Sequence, residues 1–311
     1  MKMLVAGGAG FIGSHLIDAL LEENHDVVCI DNFFNGTLQN IDHLREHPRF
    51  RFYEQDLCDF ETLSDTFRQE QFDFVFHLAA NSDIQASVID PKIEYSNTYG
   101  TTFNLLECMR VHGVSKFFFA STSAVYGEKM GVRMDEYSAP LEPISYYGAA
   151  KLGSEALISA YSFMNSFSTL IFRFPNVIGP RLTHGVIYDF IKRLRANPKE
   201  LLILGDGTQA KPYMHVFDLI NGIATMKDTL QEGVQLFNIG VETQTTVTRI
   251  ANIICEMMNL DNVIYNYTGG RGGWRGDVPV FSYSLDKIHS TGWKARWTSD
   301  EAVSKTVAEV I

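Results

Sequence analysis

The chain has 311 residues, 45% of them hydrophobic, enough to bury a large core as one big domain or two modest ones. Its formal charge of -11 argues against a nucleic-acid groove or an anionic membrane surface as partner, since clustered Lys and Arg bind both. Cys29, Cys58, Cys108 and Cys255 lie far apart with no CxxC pair, so neither a metal site nor a disulfide framework is expected, and a reducing cytoplasm is the expected compartment.

In chain order, short apolar runs alternate with longer periodic stretches. MLVA (3–6), DVVCI (26–30), RFYE (51–54), FDFVFHLA (72–79), KFFFAS (116–121) and STLIFRF (168–174) read as buried strands. The opening run breaks at once into glycines, so it reads as a strand and not a signal peptide, and no run approaches the roughly 20 apolar residues of a membrane span. Amphipathic stretches at 11–21, 61–69, 91–112 and 147–163 predict helices between the strands. That alternation predicts an α/β fold, a Rossmann-type doubly wound parallel sheet.

After Phe174 the rhythm loosens around helices predicted at 186–196 and 216–229, and QLFNIG (235–240) reads as one more sheet strand. The expected division is a dinucleotide-binding domain over 1–175, with a return strand and helix near 212–240. A smaller α/β substrate-binding domain is expected over 176–211 and 241–311.

Directly after the first strand, GGAGFIG places Gly7, Gly10 and Gly13 at GxxGxxG spacing where a helix begins. Backbone can approach a pyrophosphate closely there, and the helix N-terminus offers free N–H groups and the positive end of its dipole. A plain tight turn would use the same glycines, but the strand–turn–helix setting and the acid ending the next strand favour a dinucleotide. That acid, Asp31, is placed to accept hydrogen bonds from ribose hydroxyls and to repel a 2′-phosphate, which selects NAD over NADP. Asp56 has two readings, a partner for the adenine amino group and a loop cap.

At 145–151 the chain reads SYYGAAK, and Tyr147 and Lys151, one helical turn apart, project from one face. Bringing a tyrosine from its ordinary value near 10 toward neutrality takes roughly 4 kcal/mol, which a nearby ammonium and a positive nicotinamide ring can supply. Tyr147 would then remove a hydroxyl proton while hydride leaves the same carbon. STSAVYG (121–127) offers Ser121, Thr122 and Ser123 at the end of the fifth strand, where parallel sheets place ligands, and Thr122 is selected to orient the reacting hydroxyl.

GGAGFIG, HLAA, STSAVYG, YGAAK and FPNVIGP, in this order and across the whole chain, resemble the extended short-chain dehydrogenase/reductases, within them the nucleotide-sugar epimerase/dehydratase group. The resemblance implies NAD as cofactor, lined by Phe11, Ile12, Asn32, Leu57, Leu78, Ala79, Ala80 and Asn97 besides the glycines, Asp31, Tyr147 and Lys151. In the 4,6-dehydratases an Asp-Glu pair that removes water follows the active threonine, and decarboxylases of UDP-glucuronate carry a glutamate at the second of these positions. Here the two are Ser123 and Ala124. What remains resembles the UDP-glucose 4-epimerases, most of all through NVIGPRLTHGVIYDFIKRL and GDGTQAKPYMHV.

The resemblance implies a reversible oxidation at the sugar 4-hydroxyl: a transient 4-keto sugar swings about its pyrophosphate and is reduced from its other face. A swinging sugar needs a tethered nucleotide. By resemblance the UDP-sugar is held by Asn176, Lys211, Arg271 or Arg275, and Asp277, with Lys211 standing where many relatives have arginine. His215 reads as a packed histidine. The relatives pair through two helices, matching 97–110 and 147–161 here, so a homodimer is expected, with Phe103, Leu106, Leu157 and Ile158 as its apolar content. Epimerases of UDP-N-acetylhexosamines or uronates, other nucleotide-sugar oxidoreductases, and a non-catalytic NAD sensor are the competing readings.

Overall fold

The computed structural model describes residues 1–81, 84–129, 131–270, 278 and 281–311. Its elements begin with β1 (Lys2–Ala6), α1 (Phe11–Glu22), β2 (Asp26–Asp31), β3 (Phe50–Glu54), α2 (Phe60–Glu70), β4 (Phe74–His77) and α3 (Ile84–Ile89). The stretch expected as one helix over 91–112 is three pieces: α4 (Lys92–Glu94), a π-helical turn (Tyr95–Gly100) and α5 (Thr101–His112). Side-chain hydrogen bonds accompany the break. The Thr101 hydroxyl donates to the Asn97 carbonyl at 3.0 Å and the Thr102 hydroxyl to the Thr98 carbonyl at 2.8 Å, bonds back to the preceding turn. Then follow β5 (Lys116–Thr122), α6 (Tyr146–Asn165), β6 (Ser168–Phe174), β7 (Asn176–Ile178), α7 (Val186–Ala196), β8 (Glu200–Ile203), β9 (Ala210–Lys211), β10 (Tyr213–His215) and α8 (Val216–Lys227). The chain ends with β11 (Gly233–Asn238), β12 (Thr245–Thr246), α9 (Val247–Met257), β13 (Ile264–Tyr267), α10 (Asp286–His289) and α11 (Ser299–Val310).

The chain forms two compact units. The first comprises Met1–Val125, Leu141–Arg173 and Ile223–Phe237. Its sheet has seven strands in the order β11-β6-β5-β4-β1-β2-β3, and β1 pairs in parallel with both β2 and β4. β4 and β5 are buried nearly end to end without in–out alternation, because helices cover both faces of the sheet. Leu4, Val28, Phe67, Leu105, Phe117, Phe119, Ile158 and Ile171 form one core there. Strand order reverses between β1 and β4, and a crevice at the carboxyl ends of such strands is where open α/β sheets bind ligands. This is the Rossmann-type parallel fold expected.

The second unit comprises Tyr126–Pro140, Phe174–Gly222 and Asn238–Ile311. Three two-stranded ladders, β7 with β10, β8 with β13 and β9 with β12, accompany α7, α9 and α11, whose apolar faces meet around Ile187, Ile191, Ile250, Ile254, Val303 and Val307. A Thr298–Glu301 capping box starts α11. Among the described residues no helix is long and apolar enough to cross a membrane.

Candidate active site

At the reversal point the glycine loop lies against the end of β4. Gly7 has φ +81°, and a Cβ on it would stand 2.5 Å from the Ala79 nitrogen, so only glycine fits. A Cβ on Gly13 would meet the Gly7 carbonyl at 2.3 Å, which is how α1 starts so close to β1. Gly10 caps α1 without a side-chain hydrogen bond, and the first turn carries no acid, so Phe11, Ile12 and Gly13 open a helix N-terminus suited to an anion. Leu78 and Ala79 both donate their N–H groups to the Ala6 carbonyl at 2.9 Å, leaving Ala80 to follow at the crevice.

Asp31, buried at the end of β2, accepts from the Ala9 nitrogen at 2.9 Å and from the Phe33 nitrogen at 2.8 Å. Burial raises its pKa, and those two N–H groups work against the rise. Each oxygen keeps a lone pair for a ribose hydroxyl. Asn32 is exposed and accepts from the Phe34 nitrogen at 3.0 Å. Asp56 accepts from the Cys58 nitrogen at 2.8 Å, the loop-cap geometry, and the carbonyl of buried Leu57 is fixed by Asn104 at 2.8 Å. Asn97 is half-buried on the π turn.

The second cluster grows from α6. Ser145 caps the helix by accepting from the Gly148 nitrogen at 3.1 Å, and a Cβ on Gly148 would stand 2.8 Å from the Ala124 carbonyl, so α6 runs tight against the turn after β5. That contact brings half-buried Tyr147 toward Thr122, whose hydroxyl acts to lower the phenol pKa. Lys151 is buried, donates from Nζ to the Ala120 carbonyl at 2.7 Å and lies 4.6 Å from the centre of the Phe119 ring. Burial lowers its pKa to about 7, against the opposing pull of Glu94 and Glu155. Burial and the Glu94 carboxylate raise the Tyr147 pKa, and the Thr122 hydroxyl offsets this only in part. The Lys151 ammonium is directed at the Ala120 carbonyl and lies 5.9 Å from the centre of the Tyr147 ring.

Three buried groups here escaped the sequence reading. Glu155 sits one turn beyond Lys151 and receives Nε of Arg173 at 2.9 Å, Nη2 at 2.6 Å and the Ser121 hydroxyl. Ser121 is therefore engaged, which leaves Thr122 as the strand-end hydroxyl directed at Tyr147. Glu94 and His77 are also buried, and the His77 Nε2 meets the Thr102 hydroxyl at 2.9 Å. The i, i+4, i+8 spacing of Tyr147, Lys151 and Glu155 was visible in the sequence. Nothing local marked Glu94.

In the second unit Asn176 is exposed at the start of β7, in register with Tyr213, and half-buried Lys211 lies on β9 just before that strand. Arg271, Arg275 and Asp277 lie outside the described residues. His215 is buried, 2.9 Å from Glu309 and edge-on to Trp297, a packed histidine as expected.

Residues 3–240 match the family model for the NAD dependent epimerase/dehydratase family. A UDP-glucose 4-epimerase of Lacticaseibacillus casei is 34% identical over 77% of this chain and 76% of its own length. A dTDP-D-glucose 4,6-dehydratase of Mus musculus is 30% identical over 98% of this chain and 87% of its own. The crystal structure of Thermus thermophilus UDP-glucose 4-epimerase in complex with NAD superposes with a TM-score of 0.88 at 30% identity, covering 99% of this chain and 98% of that one.

Proposed function

The chain belongs to the NAD dependent epimerase/dehydratase family and its cofactor is NAD, and from that premise we propose that it interconverts UDP-glucose and UDP-galactose at C4. The observation that carries this reading is Thr122, Tyr147 and Lys151 together, followed by Ser123 and Ala124 where dehydration needs an acid and a base. The residues for hydride chemistry are retained, and the groups that expel water are replaced.

The glycine loop, the α1 N-terminus and Asp31 hold NAD, which when bound takes up the hydride from the sugar C4 and gives it back. Tyr147 removes the proton of the 4-hydroxyl and later returns it, with Thr122 orienting the oxygen. Lys151, as the ammonium, favours the phenolate. Asn176 and Lys211, with Arg271 or Arg275 and Asp277, tether the UDP pyrophosphate while the sugar turns over.

Incubation with UDP-galactose is expected to yield UDP-glucose without added reductant. Turnover of a UDP-uronate or UDP-N-acetylhexosamine, with UDP-galactose untouched, reassigns the sugar. Tyr147→Phe is expected to lower kcat by about 10² or more, as loss of general acid/base catalysis does. Unchanged turnover removes Tyr147 from the reaction.

A further inference from the structure

α6, which carries Lys151, holds one buried carboxylate and α4, packed against it, holds another, and among the described residues only one of the two is ion-paired to an arginine. Glu155 has Arg173 in a two-point pair. Glu94 is 2% exposed; its Oε1 accepts from Nδ2 of Asn81 at 2.9 Å and its Oε2 from the Thr98 hydroxyl at 2.7 Å, both neutral donors. A buried carboxylate held by neutral donors still needs a compensating charge. α4 and the π turn pack directly on α6, and Glu94 acts electrostatically on both Lys151 and Tyr147. The buried charges on these packed elements and on β6 are then Glu94 and Glu155 against Lys151 and Arg173, two anions against two cations.

We propose that Glu94 is the counter-charge of Lys151, a positioning residue that keeps the buried ammonium charged beside Tyr147. The inference rests on Tyr147 and Lys151 being the proton-transfer pair. Among the described residues, the titratable groups facing that pair are Glu94 from α4, Glu155 from α6 and His77 from β4, whose imidazole is kept neutral by burial and by Lys151. The others on neighbouring elements are engaged elsewhere. Lys92 and Lys116 are exposed, Tyr95 and Tyr99 stack on each other, and Glu107 is held by Arg110 and Tyr161. Thr98 lies four residues beyond Glu94, the spacing that carries its hydroxyl back onto the carboxylate.

The sign follows from the charge. An anion raises the pKa of both an ammonium and a phenol, so neutralising Glu94 lowers both. Lys151 titrates near neutrality, where carbon-13 NMR of protein labelled at the lysine Cε reads its midpoint, with the signal assigned by its loss in Lys151→Met. In Glu94→Gln the midpoint is expected to fall by about one pH unit or more. Both limbs of the pH–kcat profile are expected to move toward acid, with Glu94→Asp restoring most of the displacement. An unchanged Lys151 midpoint overturns the proposal. The titration needs no sugar, so an error in the assigned substrate would show in turnover and leave this result standing. Stability gives a second measurement: at pH 5, below the lowered Lys151 midpoint, Glu94→Gln combined with Lys151→Met is expected to melt higher than Glu94→Gln alone, because only the single variant holds an unpaired buried ammonium. Where the single variant does not fold, recovery of a folded double variant is the same result. A double variant no more stable than the single overturns the pairing.

Discussion

At Asp31 one carboxylate serves both the fold and the cofactor. It ties the glycine loop to the end of β2 through the Ala9 nitrogen and shapes the next loop through the Phe33 nitrogen, and Gly36 is needed beside it because a Cβ there would stand 2.9 Å from its oxygen. Sequence position alone identified the acid but not its attachment to the loop, since that contact spans 22 residues. Asp31→Asn keeps the size and loses the charge. Hydrogen bonds to a charged group contribute about 1.5–3 kcal/mol, so NAD affinity is expected to fall roughly 10- to 100-fold, while NADP loses its electrostatic penalty. Titrating both dinucleotides against intrinsic fluorescence measures the two changes. Unaltered NAD affinity would leave Asp31 with a structural role only.

At the scale of elements, α2 is anchored by its last residue. Glu70 receives Tyr53 at 2.7 Å, Arg51 at 2.9 Å and Lys2 at 3.0 Å, joining α2 to β3 and β1. Burial acts to raise its pKa, but these three donors outweigh it and hold the carboxyl at about 2. A carboxylate depressed in the folded state contributes stability above its unfolded value near 4.3, and that contribution is lost as pH falls toward 2. Glu70→Gln is therefore expected to cost about 2 kcal/mol at pH 7, less than the full shift because Arg51 is solvent-exposed. Melts at pH 7 and pH 3 should show the gap between variant and parent narrowing in acid. A gap independent of pH would mean that shape, not charge, holds the helix. Elements of this kind were legible wherever periodicity was local: the strand runs and α6 fell within two residues of their observed ends. The 91–112 segment was not, because its apolar periodicity carries no mark of the π turn that separates α4 from α5.

At the scale of the whole molecule, the alternation of strands and helices made the parallel sheet legible, whereas the membership of Tyr126–Pro140 in the second unit depends on distant bonds. Tyr126 donates to Asn238 at 2.7 Å across 112 positions, and Asn238 in turn donates from its backbone to Glu136 at 2.7 Å. The apolar residues expected to pair two copies divide in the same unforeseen way. Leu106 and Ile158 lie in the core of the first unit and cannot reach a partner, while Phe103 is 44% exposed on α5, and Phe163 and Met164 are 87% and 76% exposed near the end of α6. Large apolar side chains clustered on two packed helices mark a contact surface, and a two-fold axis lets one such surface cover itself. We therefore propose a homodimer through α5 and α6, with Phe163 and Met164 contributing and Leu106 and Ile158 not. Light scattering at micromolar concentration is expected to give twice the chain mass. Replacing both Phe163 and Met164 by serine should return it toward the single-chain mass with the melting midpoint of the monomer fold retained, because neither side chain supports the core. A single-chain mass for the parent protein would assign these exposed side chains to some other contact.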